Sequence, residues 1–79
     1  MFFLLFETNN PENFEIVSAE EIEKAVETFS ISFLQNYKYT VKYPYVVEVT
    51  AIKLKSKEKM KDFKVTFCKT NQKPILSEK

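Results

Sequence analysis

Seventy-nine residues make a single domain near the size at which one core only just suffices, burying roughly 60% of the unfolded chain's surface. Eight Phe and four Tyr supply large rings for that core, while twelve basic residues, all Lys, nearly balance eleven acidic ones. There is no Gly, His, Trp or Arg and only one Cys, Cys68. That inventory excludes glycine-rich phosphate cradles, the usual zinc and transition-metal clusters and every nucleophile–His pair.

A lone Cys allows no disulfide within the chain, which fits a reducing compartment. The run Phe2-Phe3-Leu4-Leu5-Phe6 has no basic residue before it and meets Glu7 at once, so it does not read as a signal peptide. No apolar run approaches the length of a membrane span, and the expected location is the cytoplasm.

Residues 2–7 are apolar at nearly every position, the pattern of a central strand with neither side-chain row fully in water. Thr8 to Asn13 are turn formers, and Phe14-Glu15-Ile16-Val17 is β-prone, so the chain opens with a hairpin. Ser18, followed three residues later by Glu21, reads as a capping box at a helix start. Glu20, Glu21 and Glu23 suit the positive end of the helix dipole, and Ile22, Ala25, Val26 and Phe29 form one apolar stripe. Phe33 and Tyr37 continue that stripe toward Asn36. Ile31, Phe33, Tyr37 and Tyr39 would equally share one face of a strand, so two endings stay open, near Phe29 or near Asn36.

From Tyr39 the chain is β-rich. Odd positions from Val41 to Ala51 are apolar, and the parity then switches to Ile52 and Leu54, which predicts a bulge near Ala51. Pro44 cannot donate to a ladder and marks a strand start, an edge or a bend. Lys55 to Lys61 is a charged connection, and Asp62 to Lys69 reads as the last strand, with Phe63, Val65 and Phe67 on one face. Cys68 falls on the other, where a strand Cys is a small hydrophobe. The expected fold is therefore α+β: one capped helix on an antiparallel sheet of four or five strands, ordered hairpin, helix, meander. Residues 1–70 form the domain, and 71–79 a frayed tail.

Charge is polarised along the chain. Residues 1–36 carry seven Glu against Lys24, and residues 37–79 carry eleven Lys against Glu48, Glu58, Asp62 and Glu78. Such a two-signed surface steers partners of matching charge, although lysines also protect edge strands. Lys53, Lys55, Lys57, Lys59 and Lys61 fall at every second position, and in an extended arm they would project together and could track phosphates. Tyr37, Tyr39, Tyr43 and Tyr45 interleave with Lys38 and Lys42, and rings beside lysines can stack unpaired bases. The lack of Arg removes the best bidentate phosphate reader. On a parity count, Phe3, Leu5, Val46, Ile52 and Leu54 point to the sheet face that one helix leaves uncovered, a face suited to a partner or a homodimer.

In size, element order and Lys-rich, Arg-free composition the chain resembles small phage-encoded inhibitor proteins of the anti-CRISPR kind. The resemblance implies a non-enzymatic inhibitor, without cofactor or metal, acting on a larger protein or ribonucleoprotein in the host cytoplasm. The candidate contacts read from the residues are Lys53, Lys55, Lys57, Lys59, Lys61, Tyr37, Tyr39, Lys42, Tyr43 and Tyr45. The alternatives are an RNA or single-stranded nucleic-acid module using the same Lys/Tyr surface, and a homo-oligomeric subunit using the apolar sheet face.

Overall fold

The N-terminal apolar run forms β1 (Phe2–Glu7), and Thr8 and Asn9 turn it into β2 (Asn10–Ser18). The computed structural model that establishes this describes residues 1–36, 41–70 and 73–79. The hairpin register runs from Phe2↔Ser18 to Phe6↔Phe14, then jumps to Glu7↔Asn10. Three residues of β2, Pro11 to Asn13, are therefore extra. Pro11, with no amide proton to donate, falls in that irregular stretch, and the Asn13 side-chain amide donates to the Glu7 carboxylate at 3.1 Å across it.

Helix α1 (Ile22–Gln35) starts later than the capping box predicts. Ser18 is the last residue of β2, paired with Phe2, and the Ala19 amide donates to the Met1 carbonyl at 3.0 Å. The ladder satisfies this backbone, so Ser18 is not free to cap. Glu21 holds the cap position with extended backbone and makes no side-chain cap bond. At its far end the helix takes the longer of the two courses, through Phe33 to Gln35. Ala25, Val26, Phe29 and Ser30 are buried, and Ile22, Ile31, Phe33 and Leu34 pack around them.

Strands β3 (Tyr45–Lys53) and β4 (Lys61–Phe67) follow, and β5 (Ile75–Glu78) comes from the segment expected to fray. It pairs with β4 through Val65↔Leu76 and Phe63↔Glu78, Leu76 packs on the core, and Pro74 is buried. Asp62 to Lys69 is thus not the last strand. The fifth strand comes from this tail and not from a shortened helix. The predicted bulge near Ala51 is absent, because β3 keeps unbroken register with β1 through Lys53 and with β4 through Ala51. The parity switch in the sequence instead arises because Ile52, still within β3, is an apolar residue on the face opposite Ala51, and Leu54 lies past the strand end in the turn where Lys55 has φ 58°. Pro44, after a cis Tyr43–Pro44 bond, immediately precedes β3.

The sheet order is β2-β1-β3-β4-β5. Both neighbours of β1 run antiparallel to it, so β2 and β3 are mutually parallel and α1 is the crossover that joins them. The core lies between α1 and one face of the sheet: Phe3, Leu5, Val17, Val47, Val49, Ala51, Phe63, Val65 and Phe67 against Ala25, Val26 and Phe29. Each fully buried Leu, Val or Phe here contributes about 1.5–3 kcal/mol.

Candidate protein-interaction surface

Because the register is continuous, the residues on the uncovered face follow from pairing. Phe2, Leu4 and Phe6 of β1 share it with Phe14 and Ile16 of β2 and Ile52 of β3, through Phe6↔Phe14, Leu4↔Ile16 and Leu4↔Ile52. Phe2, Phe14 and Ile16 are 59%, 64% and 58% exposed, while Leu4, Phe6 and Ile52 are half-buried. Val46 and Ile52 are where the parity count puts them. Phe3 and Leu5 are not: both are buried beneath α1, at 2% and 0%. In a strand that is apolar in both rows, periodicity does not say which row meets the helix. Leu54 lies beyond β3, in the turn.

Strand β2 has its pattern reversed relative to the helix. Its apolar pair, Phe14 and Ile16, faces outward, while Asn13 and Glu15 occupy the helix side ahead of Val17. The alternation Phe14-Glu15-Ile16 is the signal that could have found this face, read against the parity of Val17.

The rest of the open face is polar. Thr8 and Thr50 hydroxyls lie 2.9 Å apart, and the Thr50 hydroxyl donates to Asp62 at 2.7 Å, a chain running from the β1–β2 turn across β3 to β4. Glu48 accepts from Asn9 at 3.3 Å and from the Lys79 ammonium. The hydrogen bond and charge of Lys79, helped by Asn9 and Lys64, hold the Glu48 carboxyl below its ordinary range. Beyond this band, Val46 and Ile75, on either side of Thr66, form a smaller patch with exposed apolar groups.

The lysine arm is not one extended row. Lys53 ends β3, Lys61 begins β4, and Lys55, Lys57 and Lys59 sit in the connection between them. Lys55 occupies the left-handed turn, the Ser56 hydroxyl accepts the Glu58 amide at 3.0 Å, and Lys53 pairs with Glu58 at 4.0 Å. Lys42 and Tyr43 are exposed just before β3, and Tyr45 is half-buried with its ring stacked on Phe67, centroids 6.3 Å apart. Tyr45 and Lys53 stand at opposite ends of β3, about 26 Å apart at ~3.3 Å per residue. The described tyrosines and the lysine connection therefore do not form one surface. Tyr37 and Tyr39 lie outside the described residues.

On the helix side, a cleft opens between β2 and the C-terminal half of α1, lined by Asn13, Glu15, Phe29, Ser32, Phe33 and Asn36. Among the described residues no group of three or more His, Cys, Asp or Glu side chains could hold a metal ion, and no helix is long and apolar enough to cross a membrane. No protein-family model, curated protein or solved structure matches the chain.

Proposed function

We propose that the protein is a non-enzymatic binding module that occupies a surface on a larger protein partner through the open face of its sheet. The observation that carries this reading is the cluster Phe2, Phe14 and Ile16, more than half exposed on a chain small enough to need its apolar surface inside. Leu4, Phe6 and Ile52 extend the cluster, and the half-buried Asp62 and Glu48 border it, the composition of an interface with a polar rim. The partner we envisage is a nucleic-acid-handling host complex of the CRISPR type, in keeping with the phage-encoded inhibitors that the chain resembles. Capture from host lysate by the wild-type protein and by a Phe14→Ser/Ile16→Ser variant tests the reading. A partner retained by wild type and lost by the variant supports it, and equal capture by both removes the open face from it. Lys55→Glu/Lys57→Glu/Lys59→Glu is the matching probe of the basic connection, whose contribution would be lost on this charge reversal.

The same apolar cluster favours a second reading, a homodimer through the open face. Light scattering at high concentration separates the two, because a monomer that still captures a partner excludes the dimer.

A further inference from the structure

Strand β2 is the first strand of the sheet, so among the described residues its outer row of backbone N–H and C=O groups has no neighbour in the sheet. It is nine residues long, whereas the opposite edge, β5, has four. Short, charged or bulged edges are how proteins avoid unwanted pairing, and β2 carries its irregularity only near the turn, leaving Phe14 to Ser18 in regular register. The two sides of this edge differ. On the open face stand the exposed Phe14 and Ile16. On the helix side lies the cleft, floored by Phe29 and Phe33 and rimmed by Asn13, Ser32, Asn36 and the Glu15 carboxylate.

Among the described residues, the charge lining that cleft has one sign. Strand β2 contains Glu12 and Glu15 and no cation, and neither carboxylate makes an ion pair among the described residues. The last turn of α1 bears no basic residue, so the partial negative charge of the helix end at Asn36 adds to that of Glu15. A cation in this cleft would be favoured twice.

We propose that the outer edge of β2 accepts an extended segment of a partner protein as a sixth strand, its side chains alternating between basic and apolar. Side chains alternate faces along a strand. A Lys or Arg opposite Glu15 would enter the cleft, and its neighbours would lie on Phe14 and Ile16. Main-chain hydrogen bonds supply affinity in this mode, and the alternation supplies specificity. A second copy of the chain is a poor occupant. Pairing β2 with β2 brings the carboxylates of both copies together, and β5, Ile75-Leu76-Ser77-Glu78, offers Glu78 and no basic residue.

This inference rests on the protein-binding reading, and its test reports on the edge alone. Capped nine-residue peptides of alternating Lys and Val, and of alternating Glu and Val, are titrated into the full chain and followed by amide NMR. The Lys–Val peptide binds at least tenfold tighter and slows hydrogen exchange at residues 14–18. Glu15→Lys removes that preference, and Glu58→Lys, in the distant β3–β4 connection, leaves it intact. Of two Lys–Val peptides N-methylated at alternate positions of either parity, one binds like the parent and the other at least tenfold more weakly. Equal affinity for the Lys–Val and Glu–Val peptides, or for the two methylated forms, overturns the proposal. So does a dimer with β2 amides already protected in the absence of peptide. Failure here, with partner capture still lost in Phe14→Ser/Ile16→Ser, would sink the edge and spare the open face.

Discussion

The two faces of β1 are built from nearly the same residues and meet opposite fates. In β1, Phe3 and Leu5 are sealed under α1, while Phe2, one residue away, is more than half exposed. In β2 the asymmetry is sharper, because the apolar pair Phe14 and Ile16 faces water and Glu15 faces the helix side. Folding needs an apolar residue only where burial follows. The covered row is thus explained by the core and the uncovered row is not, which is why the proposed binding role is placed there.

The largest effect should come from the covered face. Leu5 is fully buried between α1 and the sheet, so Leu5→Ala should destabilise by about 2–5 kcal/mol, the lost transfer energy plus the cavity left behind. Chemical denaturation at constant slope measures it. A cost below about 1 kcal/mol would mean that α1 does not seal this row.

One flaw on the covered side gives a smaller effect of opposite sign. Ser30 is fully buried on α1, and its hydroxyl has no hydrogen-bond partner among the described residues. An unpaired buried hydroxyl costs about 1–3 kcal/mol, so Ser30→Ala should stabilise by about 1 kcal/mol after allowing for the small void. A lower thermal midpoint in that variant would show that the hydroxyl is satisfied in solution.

On the open face the expected change in stability is smaller still. Ile16→Thr keeps a β-branched residue and removes one exposed apolar group, so it should shift stability by no more than about 0.5 kcal/mol. The same substitution should weaken partner capture. A loss of several kcal/mol on unfolding would instead make Ile16 a core residue and erase the contrast between the faces.

What could be read from the sequence follows the same division. The stripe Ile22, Ala25, Val26, Phe29 and the row Val47, Val49, Ala51 announce themselves by spacing alone, because each element's period is local. So does the central place of β1. The choices that failed depend on distant partners. Ser18 caps or pairs according to whether Phe2 reaches it, and the ladder won. Which row of β1 meets the helix is set by the crossover, since both rows are apolar. Strand β5 is hidden because Ile75 and Leu76 sit in a short, polar tail and become strand only against β4. Among the candidate contacts, alternation made Lys53 to Lys61 look like one arm, but the left-handed turn at Lys55 breaks it. The free edge of β2 could not be read at all, since edge position is a property of the sheet order.

The smallest effect concerns the polar band that borders the apolar cluster. Lys79, just past β5, reaches across to Glu48 of β3, and its amide donates to the Asp62 carbonyl at 2.9 Å. The Lys79 hydrogen bond and charge depress the Glu48 carboxyl in the folded state relative to its ordinary value of 4.5. A depressed carboxylate contributes stability that is fully present above its unfolded value and is lost as pH falls through the folded one. At neutral pH the wild type should therefore melt slightly above Lys79→Ala, and the gap should close as the solution is taken below pH 4.5. The pair is solvent-exposed, so added salt should shrink the same gap at neutral pH. A gap that persists unchanged in acid would assign the role of Lys79 to its side-chain packing on the sheet. The carboxylate would then be a solvated rim group that any partner could strip of its lysine.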